Sequence, residues 1–143
     1  MNIILTNGVA LTPLTLTGAK RNVQGATRDV LSFTFPANTS MDELNNLFTP
    51  ENCETITIVE TMLIPETGVA YENQYQHVGY VIRDNIKREF IMVRPETSES
   101  AAVYEERIIV SMAQRTYMET QLASLIETID VLVLENLLEE ATE

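Results

Sequence analysis

The sequence predicts a mainly β protein of the α+β class, in which an antiparallel β-sandwich or barrel-like domain carries one short internal helix and one long C-terminal helix. Short runs of alternating apolar and polar residues recur as far as residue 112, separated by turn-forming residues. Two Ser/Thr-x-x-Glu sequences, which start at Ser40 and Thr116, match the capping box that opens helices. No Gly or Pro follows Pro95, so the rest of the chain lacks the turn-forming residues that recur before it. We therefore divide it into a β-rich domain, residues 1–114, and a helical extension with an acidic tail, residues 115–143.

The first third of the chain is predicted to be β structure. The Asn7-Gly8 dipeptide favours a tight hairpin between two short strands within residues 2–16, because both residues tolerate positive φ. The polar segment 18–25, with a glycine at each end, is expected to be a loop. Residues 29–35 alternate between large apolar and small polar side chains, so they predict a strand with one buried face.

The middle of the chain is predicted to hold a helix and further strands. The capping box at Ser40 predicts a short helix over residues 41–48. Residues 54–64 predict a strand with its isoleucines on one face, and residues 69–82 predict one or two strands with Gly79 as a candidate bulge. A turn is expected at residues 83–85. It is followed by β structure at 87–94 and 103–112.

The last predicted helix, residues 116–138, is the feature that indicates a function. Its capping box pairs Thr116 with Glu119, and apolar residues then recur at three- and four-residue steps. Beyond Asp130 the helix is apolar on nearly every side, and one small domain covers one side of a terminal helix. We therefore predict that a second copy of the chain covers the rest, although the β-branched segment 129–134 is also compatible with a strand. The predicted oligomer interface consists of Met118, Leu122, Leu125, Ile126, Ile129, Leu132, Val133, Leu137 and Leu138.

Composition and charge limit the kinds of partner. The 143 residues carry a formal net charge of −12, which argues against binding nucleic acid because that affinity comes from clustered Lys and Arg. Residues 116–143 contain seven acids and no base, so an acidic module that mimics DNA or caps a basic partner is the alternative function. The amino terminus lacks a basic leader, and no run of 18 apolar residues occurs. We expect no signal peptide and no membrane insertion.

Residue types that carry catalysis or bind cofactors are sparse. The chain has one histidine, His77, and one cysteine, Cys53, which is expected to be a small buried hydrophobe. No nucleophile, phosphate-binding, dinucleotide-binding or zinc motif is present. A glycosidase-like use of acids on different strands would require them to converge, and an acidic protein scatters carboxylates over its surface. The acids in question are Glu60, Glu89, Glu105 and Glu106. The sequence predicts a protein that is not an enzyme and binds no cofactor or metal.

These residues resemble those of small structural proteins encoded among the tail and baseplate genes of tailed bacteriophages and prophages of Gram-positive bacteria. The resemblance is carried by the strand at 29–35 with the helix at 40–48, and by the stretches 111–117 and 127–132. It implies a non-enzymatic virion component, assembled in the host cytoplasm, that occurs in several symmetric copies and joins other virion proteins. It supplies no catalytic residues.

Overall fold

The computed structural model describes the backbone of residues 1–142 and the side chains of residues 1–139. Over that range the chain forms eight strands and two helices in two packed antiparallel sheets, so the predicted β-sandwich with a short and a long helix is confirmed. In chain order the elements are β1 (Asn2–Ile4), β2 (Ala10–Leu11), β3 (Thr15–Val23), β4 (Ala26–Pro36), α1 (Met41–Leu47), β5 (Thr55–Leu63), β6 (Ala70–Val78), β7 (Ile82–Arg94), β8 (Val103–Ala113) and α2 (Tyr117–Thr142). The strand orders are β2-β1-β5-β6 and β3-β4-β8-β7.

The core lies between the two sheets and is closed by α1. Period-two alternation places inward-facing side chains of both sheets in one cluster. Phe48, directly after α1, packs in that cluster with ring centroids 5.2 Å from Phe33 and 6.0 Å from Phe35. Ser40 begins α1, since its side chain accepts a hydrogen bond from the Glu43 backbone N–H. The buried members from the sheets are Ile3, Ile56, Ile58, Leu31, Phe33, Phe35, Ile108, Val110 and Met112.

Three local predictions were wrong, and each concerns a strand at the edge of a sheet. Residues 18–25 are not a loop: β3 runs to Val23, because an edge strand tolerates polar residues on both faces. Residues 83–85 are not a turn but part of β7, where a register shift between Arg83 and Asn85 accommodates an extra residue. Gly79 lies after β6 with φ +82°, so it makes the bend between the sheets instead of a bulge.

The two sheets extend beyond the sandwich as two-stranded arms. β1 pairs with β5 as far as Val59, and β4 pairs with β8 as far as Arg107. Past those residues, among the described strands, β5 is paired with β6 alone and β8 with β7 alone. The chain enters β8 from the arm and leaves it toward α2, so the arm and the helix lie at opposite ends of this strand.

Candidate assembly surface on the C-terminal helix

The joint between β8 and α2 is fastened to the sandwich by backbone hydrogen bonds. The Gln114 N–H donates to the Asp29 carbonyl at 2.8 Å, and the Arg115 N–H donates to the Gly79 carbonyl at 2.9 Å. The Gln114 side-chain amide also donates to the Val78 carbonyl at 3.0 Å. These bonds connect the joint to β4 and to the end of β6, so the start of α2 has a fixed position on the domain.

A buried arginine anchors the first turn of α2. Arg28 on β4 is 5% exposed, and its Nε donates to the Val23 carbonyl at 2.8 Å. Its Nη2 donates to Glu119 Oε2 at 3.1 Å, while Nη1 pairs with Oε1 of the same carboxylate. A bidentate pair of this kind fixes both the distance and the orientation of the two groups. The sandwich therefore holds the helix through its first turn.

Glu119 also completes the predicted capping box. Its Oε1 accepts a hydrogen bond from the Thr116 backbone N–H at 2.9 Å, and its own N–H donates to Thr116 Oγ1 at 3.2 Å. The hydrogen bond from Arg28, followed by the one from the Thr116 backbone, lowers the pKa of Glu119 from 4.5 to about 2. Glu119 is therefore ionised at neutral pH. The capping role follows from the sequence pattern, whereas the Arg28 contact joins residues 91 positions apart and has no local signal.

After its first turn, residues 121–139 of α2 are all exposed to solvent. All nine residues of the predicted oligomer interface are between 50% and 78% exposed, and they are Met118, Leu122, Leu125, Ile126, Ile129, Leu132, Val133, Leu137 and Leu138. Tyr117, Val131 and Leu134 are exposed as well, although they were not in the predicted set. Residues 129–134 are helical, which resolves the alternative of a strand. The described part of α2 thus presents apolar side chains without covering them.

These apolar residues form two stripes on opposite sides of the helix. At 3.6 residues per turn, seven side chains share one side, which we call the front stripe, and three share the other, which we call the back stripe. Leu137 lies between the two. The front stripe consists of Met118, Leu122, Leu125, Ile126, Ile129, Leu132 and Val133, and the back stripe consists of Val131, Leu134 and Leu138.

The acids of α2 lie between and around the stripes. Glu127, Asp130, Glu135 and Glu139 are separated in sequence by exposed Leu, Ile and Val side chains. The predicted acidic tail continues past them, but the side chain of Glu140 and the whole of Glu143 lie outside the described residues. The described carboxylates are dispersed around the helix and do not form one continuous row.

Cys53 and His77, the two residues considered for catalysis, each pack against other side chains of the sandwich. Cys53 is fully buried, as predicted, and that burial raises the pKa of its thiol to about 12, which disfavours the thiolate that a nucleophile requires. His77 packs edge-on against the ring of Tyr80, with centroids 5.7 Å apart. Within the described residues, no group of three His, Cys, Asp or Glu side chains is placed to hold a metal ion.

The four carboxylates considered for a paired acid site lie on different sheets. Glu60 is on β5, in the first sheet, and the other three are on β7 and β8, in the second. Those three form ion pairs with nearby bases: Glu89 with Lys87 at 3.2 Å, Glu105 with Arg107 at 2.5 Å and Glu106 with Arg88 at 3.6 Å.

Comparisons of the chain with protein-family models, with curated proteins and with solved structures found no significant match. Over residues 1–142, neither helix has the length and apolar character that crossing a membrane requires.

Proposed function

We propose that the protein is a non-enzymatic assembly protein that forms homo-oligomers by packing α2 against α2 of neighbouring copies. The observation that carries the proposal is a long helix fixed at its first turn by Arg28 while its apolar side chains lie in solvent. Contiguous exposed apolar surface on a soluble chain is typical of a protein-protein interface. The apolar side chains of α2 are therefore available to pack against another chain.

The spacing of the front stripe suits packing of identical helices. Five of its residues follow the alternating four- and three-residue steps of a coiled-coil seam, namely Met118, Leu122, Leu125, Ile129 and Leu132. Ile126 and Val133 widen the seam on one side, and Gln121 and Thr128 flank it on the other without charge. A seam of three apolar positions per heptad is wider than the two-position seam of a two-stranded coil. We therefore expect a bundle of more than two helices.

The energy available from the front stripe is comparable with the cost of association. Full burial of a completely exposed Leu, Ile, Val or Met side chain contributes roughly 1.5–3 kcal/mol. The seven side chains are between 50% and 78% exposed, so together they supply about 6–12 kcal/mol per helix. Lost translational and rotational freedom and side-chain ordering cost about 4–15 kcal/mol. Burial must therefore be nearly complete for a stable oligomer, and losing two of the seven residues is expected to prevent it.

The biological setting follows from the resemblance to phage tail and baseplate proteins. We propose that the oligomer is a virion component, assembled in the host cytoplasm, and that other virion proteins join it. The back stripe provides a place for such a protein, because a helix that packs its front stripe against copies of itself leaves the opposite side available. Neither nucleic acid nor a membrane is needed as a partner.

An acidic module that binds a basic partner is the weaker proposal. A mimic of DNA presents carboxylates in regular rows that match the phosphates. In α2 the described acids are interrupted by exposed Leu and Val side chains, which favour an apolar partner. Salt-dependent capture of a basic protein such as a histone would support this alternative over the first.

The test is to place charge in the front stripe. Leu132→Glu with Val133→Glu should reduce the mass measured by light scattering to that of a smaller species, because two carboxylates cannot be buried in an apolar seam without a large cost. Thr120→Glu with Ser124→Glu adds the same charge to outward positions of the same helix and should leave the mass unchanged. A β-sheet signal in circular dichroism that matches the wild type shows that the sandwich is intact. Wild-type mass in the Leu132/Val133 variant would refute the proposal.

A further inference from the structure

The four edge strands of the two described sheets differ in how they are protected from further pairing. β2 has two residues. β3 carries Lys20 and Arg21, and β7 has register shifts near each of its ends. Short strands, Lys or Arg residues and bulges are the features by which natural edge strands avoid pairing with other chains. Three of these edges are thus poor templates for another strand.

β6 has none of these features within its nine residues. It pairs with β5 without a register shift from Ala70 to Val78, and it contains no Pro, Lys or Arg. Glu72 is its one charged residue, and Tyr71, Tyr75 and Val78 are exposed. Its outer edge presents backbone N–H and C=O groups along a regular strand, and among the described residues one of these carbonyls, that of Val78 at the end of the strand, already accepts a hydrogen bond, from the Gln114 side-chain amide at 3.0 Å. This edge is therefore suited to accept another strand.

We propose that β6 pairs antiparallel with β6 of a second copy, with Gln74 of each chain opposite Gln74 of the other. This register is the one that aligns all nine residues of both strands, since Gln74 is the midpoint of the strand. Two-fold symmetry is the usual symmetry of a contact between identical surfaces. The product is one continuous eight-stranded sheet built from β2-β1-β5-β6 of each copy.

The side chains in this register are complementary. Tyr71 lies opposite His77, Asn73 opposite Tyr75, and Glu72 opposite Gln76, whose amide donates to a carboxylate. The two Glu72 residues are four positions apart along the paired strands, about 14 Å, which exceeds the Debye length of roughly 8 Å at physiological salt. No like charges face each other, whereas the same symmetric pairing of β3 about its midpoint, Ala19, would bring the two Lys20 residues within two positions of each other, about 7 Å along the strands. The edge is therefore compatible with a second copy of itself.

This contact is separate from the front stripe of α2 and goes beyond the proposed function. An oligomer held by both surfaces would have helices associated through one interface and sandwiches associated through another. The β6 contact is therefore tested in the Leu132→Glu/Val133→Glu background, where the helical interface is disrupted.

The test is site-specific disulfide cross-linking of the full-length chain in that background. Gln74→Cys places one thiol opposite its own copy, and it should give roughly tenfold more cross-linked dimer under mild oxidation than Thr17→Cys on the edge strand β3, owing to the raised effective concentration. Both positions are exposed, and the native Cys53 is fully buried, so it contributes no background.

A second substitution checks that pairing causes the cross-link. Adding Glu72→Lys to Gln74→Cys introduces the kind of charge that protects natural edges, and the yield should fall to the Thr17→Cys level. Equal yields from Gln74→Cys and Thr17→Cys would overturn the proposal, including the case in which β6 pairs with a strand of another protein. Because the helical interface is absent in every variant, this result is independent of the outcome for α2.

Discussion

Phe33 in the sandwich and Leu125 in α2 are both large apolar residues on regular elements, yet they have opposite environments. Phe33 has no exposed surface and lies between two sheets, whereas more than half of Leu125 is exposed. The sandwich has two layers whose inner faces cover each other, and α2 is a single layer whose described apolar side chains are exposed. Apolar side chains therefore form the core in the sandwich, whereas in α2 they remain exposed and available for association.

The largest expected difference concerns truncation of these two side chains. Phe33→Ala should lower the free energy of unfolding by about 3–5 kcal/mol, because it leaves a cavity among Phe35, Phe48 and the neighbouring strands. Leu125→Ala should change the unfolding of the sandwich by less than about 0.5 kcal/mol, as is usual for exposed positions. Urea titration followed by circular dichroism at the β-sheet signal measures both.

The same two variants separate folding from assembly. Light scattering should show a reduced oligomeric mass for Leu125→Ala, whereas the folded fraction of Phe33→Ala should keep the wild-type mass. A large loss of sandwich stability in Leu125→Ala would mean that α2 is part of the cooperative unit and that the contrast between the two regions does not hold.

A second, smaller effect is expected at the contact that joins the two regions. Glu119→Gln removes the charge that pairs with the buried Arg28, so the variant should be less stable than the wild type at pH 7. The pKa of Glu119 is lowered by folding, so its charged form stabilises the native state above the unfolded value of 4.5. That contribution is lost as the pH falls toward about 2.

The expected result is therefore a gap between the denaturation midpoints of the wild type and Glu119→Gln that is full at pH 7 and shrinks progressively below pH 4.5. Glu127→Gln, about two turns further along α2, is the matched control for loss of one helical carboxylate. A gap that stays constant between pH 7 and pH 3 would show that the Arg28 pair does not hold the helix to the sandwich.

The sequence was sufficient to predict the main elements because their signals are local. Alternation identified the strands that carry Phe33 and Ile56, and capping boxes identified the starts of both helices. The edge strands were missed where Lys20 and Arg21 on β3, or the register shift after Arg83, replaced alternation by polar residues. Polar residues are tolerated at such positions when the strand has an unpaired side, and the order of strands in the sheet determines which strands have one.

The candidate surface shows the same division between local and long-range information. The nine exposed residues of α2 follow from helical spacing, but the anchor that presents them does not. In the sequence, nothing distinguishes Arg28 from other basic residues near a turn. Its contact with Glu119 forms only when folding brings β4 next to the start of α2. The sequence also did not show that β6 has an open edge, because an edge strand and a central strand can contain the same residues.

The smallest effect is expected at the two helix caps, and it compares a helix inside the fold with one outside it. Ser40→Ala removes the acceptor for the Glu43 N–H in α1, and this should cost the sandwich about 1 kcal/mol, because Leu44 and Phe48 connect α1 to the core. Thr116→Ala removes the corresponding bond in α2. Since the described contacts between α2 and the sandwich lie in its first turn, that loss should reduce the helical signal and the oligomeric mass while the urea midpoint of the sandwich moves less than in Ser40→Ala. Ser124→Ala, within α2 and away from both caps, controls for replacing a hydroxyl residue by alanine. Equal shifts in the sandwich midpoint for the two cap variants would show that both helices belong to one folding unit, and the helix would then need no second copy to account for its stability.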